Sequence, residues 1–134
     1  MAKNLYAFLH PQKVENDFVY LERFRNEDGE IEPVEIKALT QKENNELMRK
    51  HTKRDKNGNE VFAKESYMTS MVLKSITNID FTDADLQKAY GVLGEENLIS
   101  TMFTIGEFAT LAQAVTKLCG FDNDINSDID EAKN

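Results

Sequence analysis

Few side chains in this sequence of 134 residues have the types and spacing that catalysis requires. The one cysteine, Cys119, lies at the predicted C-terminal end of a helix, where the dipole disfavours a thiolate and we expect a small buried apolar residue. The two histidines, His10 and His51, fall in unrelated segments; an imidazolium at His51 would complement the end of a predicted helix. Because the G-x-S-x-G, P-loop and G-x-G-x-x-G motifs are also lacking, we expect no enzymatic activity and no cofactor.

Acidic residues cluster at predicted helix starts rather than in catalytic pairs. Helix capping and the helix dipole account for five of them: Asp80, Asp83, Asp85, Glu95 and Glu96. Two segments begin like calcium loops, at Asp55 and Asp122, but neither has the glycine and final glutamate that such a loop requires. One cysteine and two separated histidines are too few ligands for zinc, so we expect no metal site.

A basic cluster lies in the middle of the chain and has two interpretations. Its members are Arg49, Lys50, Lys53, Arg54 and Lys56. They form either a docking patch for an acidic partner segment or for RNA, or a solvated helix end in which cations suit the negative end of the dipole. The net charge of −8 argues against nucleic acid as the main partner, since phosphate binding favours basic proteins.

Aromatic residues and methionines provide a second candidate surface. On the predicted hairpin, Phe18, Tyr20 and Phe24 share one face, and Met68, Met71 and Met102 lie on predicted helices. These side chains form either an adaptable partner-binding surface or part of the core. From both surfaces, the candidate partner-binding residues are Phe18, Tyr20, Phe24, Arg49, Lys50, Lys53 and Arg54.

Residues 17–39 predict a β-hairpin, because Asp28-Gly29 is a strong signal for a type I′ turn. With these two residues at the centre of the turn, Val19 lies opposite Ala38 and Leu21 opposite Ile36. The alternation then gives one mostly aliphatic face. A longer loop over residues 25–30 would change this register.

Five helices follow the hairpin in the predicted order of elements. The capping boxes Thr40–Glu43 and Thr104–Glu107 begin helices over residues 41–52 and 105–119. Apolar spacing predicts a helix over 64–76, and shorter helices follow Thr82 and Gly94. Residues 53–60 read as a polar turn, and residues 5–15 as an irregular or briefly helical lead-in.

The elements together predict an α+β fold, in which the hairpin packs on a cluster of about four to five short helices. We expect a single domain over residues 1–121 and a disordered acidic tail over 122–134, where five carboxylates accompany one lysine. The start of the chain lacks the apolar region of a secretory signal, and no apolar run is long enough to span a membrane.

Four stretches of the sequence carry a family resemblance. They are Arg23-Phe24 with Glu27-Asp28-Gly29 and Glu35–Thr40; Leu86–Gly94, with its Tyr90-Gly91-Val92 block; Met102–Phe108; and Gly120-Phe121-Asp122. In order and spacing, over residues 8–122, the chain resembles the XkdN-like family of phage tail assembly chaperones from tailed phages and prophages of Gram-positive bacteria. These motifs are structural, so the resemblance assigns no catalytic residue.

The resemblance implies an assembly function. Such chaperones bind the tape measure protein, keep it soluble before the tail tube polymerises around it, and are absent from the mature virion. Further expected partners are the tail tube protein, a longer frameshifted form of the chain and other copies of the chain itself, in the cytoplasm of the bacterial host. The alternative function is a small nucleic-acid-binding or regulatory phage protein that uses the basic cluster at 49–56.

Overall fold

A computed structural model describes residues 4–121, which form six helices and two small antiparallel hairpins. In chain order the elements are α1 (Tyr6–Leu9), β1 (Asp17–Val19), β2 (Val34–Ile36), α2 (Gln41–Lys50), β3 (Thr52–Arg54), β4 (Glu60–Phe62), α3 (Lys64–Ser75), α4 (Ala84–Ala89), α5 (Glu95–Met102) and α6 (Ile105–Leu118). This arrangement confirms the predicted α+β class. The expected acidic tail lies outside the described residues.

The first hairpin forms with a different register from the predicted one. Val19 lies opposite Val34 rather than Ala38, so the pairing is displaced by four residues. The reason is the loop: Gly29 has a φ of 82° but Asp28 does not have a positive φ, so the predicted type I′ turn is wrong. Since the displacement is an even number of residues, the aliphatic face still points into the core.

The second hairpin, β3–β4, was not predicted, because the sequence indicated only a polar turn there. Its loop repeats the geometry of the first one. Asp55 accepts hydrogen bonds on its side chain from the amides of Asn57 and Asn59, just as Asn26 does from the second and fourth residues after it. In each loop, a glycine with a φ near 80° follows three residues after the Asx residue.

The predicted helices are present, with ends shifted by a few residues at most. Both capping boxes are complete: Thr40 caps α2 with Glu43, and Thr104 caps α6 with Glu107. Gly91 takes a φ of 69° after α4, the left-handed conformation that commonly ends a helix. The lead-in is briefly helical, since α1 covers only four residues.

The core lies between the first hairpin and helices α3, α5 and α6. Strand β2 is central, because Ile36 is fully buried and also bridges to Ile76 after α3. The residue after β2, Lys37, is held to α3 by Ser75, whose hydroxyl donates a hydrogen bond to the Lys37 carbonyl. The remaining fully buried large side chains come from the helices: Val72, Leu98, Ile99, Leu111 and Val115.

Candidate partner-binding surfaces

The aromatic residues of the first hairpin do not form one surface. Phe18 and Tyr20 lie on the outer face, where they are 46% and 64% exposed, and Val19 between them is buried. Phe24 is half-buried, and its ring meets that of Phe103 edge-on at 5.4 Å between centroids. The chain turns after Leu21, whose carbonyl accepts from the Phe24 amide, so strand alternation ends before Phe24. The structure therefore places Phe18 and Tyr20 on the same exposed face and Phe24 against the core.

The methionines of the predicted surface lie in the interior. Met71 and Met102 are buried in the core, and Met68 packs against it. Of the two interpretations drawn from sequence, the structure thus favours core for all three.

The basic cluster is exposed along its whole length, at the end of α2 and over the β3–β4 hairpin. Arg49 and Lys50 lie in the last turn of α2, and Lys53 and Arg54 lie on β3. Within residues 4–121, no carboxylate forms an ion pair with any of these four cations. The cluster therefore presents exposed cations, with Glu60 opposite Arg54 across the β3–β4 hairpin, on a protein whose net charge is negative.

His51 is the one buried titratable side chain among the described residues, and two serine hydroxyls lie within hydrogen-bond distance of its ring. Its Nδ1 lies 3.0 Å from the Ser66 hydroxyl and its Nε2 lies 2.9 Å from that of Ser70. Because Ser66 donates to the carbonyl of Ala63, we assign the proton to Nδ1, which leaves Nε2 to accept from Ser70. Sequence placed His51 at the end of α2 but did not show its burial between two serines on α3.

Cys119 is half-buried and has a polar contact that the sequence did not predict. Its Sγ accepts a hydrogen bond from the Leu39 amide at 3.3 Å. The thiol borders a cavity of about 120 Å³ together with Leu39, Met71 and Phe121. This volume is below the roughly 300 Å³ at which small-molecule pockets begin, so the cavity is a packing gap rather than a substrate site.

An apolar surface that sequence reasoning missed lies on the N-terminal segment. We call residues 4–16 the arm; none of them is buried, and α1 lies within it. Five of its large apolar residues are exposed: Leu5, Tyr6, Phe8, Leu9 and Val14. The sequence feature that could have indicated this surface is the apolar run from Leu5 to Leu9, but such a run is equally typical of a buried segment.

The described residues contain neither a candidate metal site nor a single membrane-spanning helix. No group of three or more histidine, cysteine, aspartate or glutamate side chains among residues 4–121 is placed to hold a metal ion. Within the same range, no single helix is long and apolar enough to cross a membrane; α5 and α6 pass that test only as a pair, which bends by 113°.

Comparisons with known proteins give a family match and a shared fold. A family model for the Phage XkdN-like tail assembly chaperone protein matches residues 5–133. A search of curated proteins found no match. Among solved structures, the crystal structure of the protein yqbn superimposes with a TM-score of 0.72 at 18% sequence identity, over 91% of this chain and 100% of that chain. At this identity the structural likeness establishes a shared fold only.

Proposed function

The chain belongs to the XkdN-like family of phage tail assembly chaperones, and on that basis we propose that it binds the tape measure protein of its phage. Binding keeps this long chain soluble until the tail tube polymerises around it. The family match over residues 5–133 is the observation that carries the proposal. The protein acts as a binding partner without catalysis, in the cytoplasm of the bacterial host, and is absent from the mature virion. The tail tube protein and a longer frameshifted form of the chain are further partners.

Two surfaces supply candidate contacts with the tape measure protein. Phe18 and Tyr20 offer two exposed aromatic rings on the outer face of the hairpin. Rings of this kind bury about 150–250 Å² each in an interface and lose little conformational entropy when they do so. The basic cluster, with Arg49, Lys50 and Lys53, would contact acidic residues of the same partner.

Co-expression with tape measure fragments tests this function. We expect fragments that are insoluble alone to become soluble and to co-purify with the chain. The double variant Phe18→Ser/Tyr20→Ser should lose co-purification and keep its melting temperature, because both side chains are exposed. The matched control is Val61→Ser, since Val61 is exposed to a similar degree elsewhere. If several fragments stay insoluble with the wild-type chain, the proposal is wrong.

The basic cluster is tested by charge removal. The quadruple variant Arg49→Gln/Lys50→Gln/Lys53→Gln/Arg54→Gln should bind the fragments more weakly and with less dependence on salt. The control variant removes the same number of exposed cations elsewhere, at Lys42, Lys64, Lys88 and Lys117. Binding of RNA or DNA that falls steeply with salt and disappears in the first variant would instead favour the alternative, a nucleic-acid-binding protein.

A further inference from the structure

Positive charge is concentrated at the end of α2 and on the β3–β4 hairpin. Five of the 16 lysines and arginines of the sequence lie within residues 49–56, where Asp55 is the one carboxylate. All five cations are exposed. The Asp55 side chain faces its own loop, since it accepts hydrogen bonds from the amides of Asn57 and Asn59. A patch of this kind raises the local concentration of acidic groups around it.

Carboxylates of the folded body lie near only part of the basic cluster. Arg54 is paired with Glu60 across the hairpin. Lys50 borders a depression that three glutamates also line: Glu46, Glu95 and Glu96. Lys53, by contrast, is paired with Val61, and Lys56 lies in the loop of the hairpin. Neither of these two lysines forms an ion pair with a residue of the range 4–121.

The acidic tail, residues 122–134, has a charge pattern complementary to the cluster. Its 13 residues contain five carboxylates and one lysine, Lys133. Four of the carboxylates fall within eight positions, the same span as the five cations of the cluster: Asp124, Asp128, Asp130 and Glu131. Of all segments of the chain, the tail is thus the one whose charge best matches the cluster.

The described chain ends beside α2, the helix that leads into the hairpin. Phe121 borders a cavity together with Asn44 of α2. Asn44 accepts a hydrogen bond from the Tyr67 hydroxyl, and the Tyr67 ring lies 5.2 Å from the ring of Phe62 on β4. Because an extended chain covers up to about 3.3–3.6 Å per residue, Asp128 can reach roughly 23–25 Å from Phe121. The hairpin is therefore within reach of the tail carboxylates.

We propose that the acidic tail contacts the basic cluster of its own chain, with its carboxylates against the ammonium groups of Lys53 and Lys56. A short tether gives an effective concentration on the order of millimolar, so a weak contact is sufficient to populate the state. Exposed ion pairs contribute little to the free energy of unfolding. The contact is therefore compatible with a tail that is dispensable for folding.

A tail that covers the cluster competes with any other acidic ligand of the same cations. If the cluster is free in one half to one tenth of the molecules, the apparent affinity for such a ligand falls about 2–10-fold. An acidic segment of the tape measure protein would have to displace the tail. This consequence rests on the proposed function, whereas the contact within the chain does not.

Zero-length cross-linking of the full chain tests the contact without any partner. A carbodiimide joins a carboxylate to a lysine amine only where the two touch, and mass spectrometry of the monomeric product identifies the pairs. We expect the tail carboxylates to be joined to Lys53 and Lys56, with a yield that falls as salt screens the attraction. Lys42 is the internal control. It is exposed beside Gln41, which borders the same cavity as Phe121, so a tether without attraction would favour Lys42.

The double variant Arg49→Gln/Arg54→Gln removes neighbouring charge but leaves both hairpin lysines available for cross-linking. The yield at these lysines should fall about 2–5-fold. The control Lys13→Gln/Lys88→Gln removes two exposed cations elsewhere and should leave the yield unchanged. Cross-links as frequent at Lys42 as at the hairpin, a yield that salt does not reduce, or equal yields in the two variants would overturn the proposal.

Binding of a labelled oligoglutamate peptide tests the competition. The full-length variant Asp124→Asn/Asp128→Asn/Asp130→Asn/Glu131→Gln should bind this probe about 2–10-fold more tightly than the wild type. The matched control neutralises four exposed carboxylates elsewhere, at Glu15, Glu22, Glu27 and Glu30, and so reports the effect of net charge alone. Equal gains in both variants, or no binding of the probe to the tail variant, would overturn the competition. Because neither experiment contains a tape measure fragment, failure of the proposed function would leave both results unchanged.

Discussion

Arg23 and Glu107, 84 residues apart, form a two-pronged ion pair that fastens the first hairpin to the last helix. Arg23 Nη2 lies 2.6 Å from Glu107 Oε1, and Nε lies 3.0 Å from Oε2. The same Glu107 oxygen accepts from the Thr104 amide as part of the capping box of α6. Arg23 also donates to the carbonyl of Met102, at the end of α5. The ion pair thus joins three elements of the fold: the first hairpin, α5 and α6.

This pair predicts a specific loss of stability in acid. Hydrogen bonds from Arg23, with further help from Thr104, hold the pKa of Glu107 low, at about 2. A carboxylate with a lowered pKa stabilises the fold above its unfolded pKa of about 4.3, and that contribution is lost as the pH falls towards 2. Glu107→Gln should therefore lower the melting temperature at pH 6 and flatten its decline between pH 4.5 and 2. The exposed Glu22→Gln serves as the control, and an unchanged acid profile in Glu107→Gln would contradict the prediction.

One of the two roles of Glu107 could be predicted from sequence. Its position three residues after Thr104 indicates a capping box, because that motif is local. Its pairing with Arg23 depends on how the hairpin packs against α6, which no local pattern encodes. The same limit explains the hairpin register: the faces follow from alternation, but the pairing of Val19 with Val34 depends on a loop conformation that Asp28-Gly29 did not determine.

The buried contact between His51 and Ser70 predicts an asymmetric mutational response. His51→Leu leaves the Ser70 hydroxyl buried without its partner, which costs about 1–3 kcal/mol of unfolding free energy. Adding Ser70→Ala removes the orphaned hydroxyl, so the double variant should be more stable than His51→Leu alone. Urea unfolding of the wild type, both single variants and the double variant measures this coupling. Strict additivity of the two changes would show that the contact contributes nothing.

The two Asx loops predict that replacing their glycines costs stability through the backbone conformation, without any clash with other residues. At Gly29 and Gly58 an added Cβ would meet no atom within 4 Å, yet φ is 82° and 81°. Alanine at either position should cost about 1–2 kcal/mol, the penalty of the left-handed conformation. The control is Gly106→Ala in α6, where no positive φ is required and alanine should stabilise by about 0.5–1 kcal/mol. Thermal unfolding distinguishes the three variants, and equal effects at all three positions would refute the argument.

The second hairpin and the arm show why other features escaped sequence reasoning. Strands β3 and β4 are three residues each, are largely exposed, and carry charged residues such as Lys53 and Glu60. Such short polar strands have no alternation to detect, and their Asn57-Gly58 loop reads as a simple turn. In the arm, Leu5–Leu9 is apolar, and apolar residues are buried more often than exposed, so only the folded structure reveals that nothing covers them.

Residues beyond Asp122 should be dispensable for folding, because the end of α6 is already satisfied before them. The Gly120 amide donates to the carbonyl of Lys117 and the Phe121 amide to that of Thr116, which completes a Schellman cap. In the tail, full burial of Ile125 and Ile129 would contribute roughly 4–5 kcal/mol. Ordering 13 residues costs about 1–2 kcal/mol each in backbone entropy, which is more.

Deletion of everything after Asp122 should therefore change the free energy of unfolding by less than about 1 kcal/mol. The matched control ends the chain at Cys119 and so removes Gly120 and Phe121, the two residues that close the helix. This shorter chain should lose about 1 kcal/mol or more of unfolding free energy. The carbonyls of Thr116 and Lys117 lose their hydrogen-bond donors, and Phe121 no longer covers the cavity beside Met71. Urea unfolding compares the three chains. A loss of several kcal/mol in the longer truncation, or amide protection over residues 124–131 in hydrogen exchange, would mean that the tail docks on the domain.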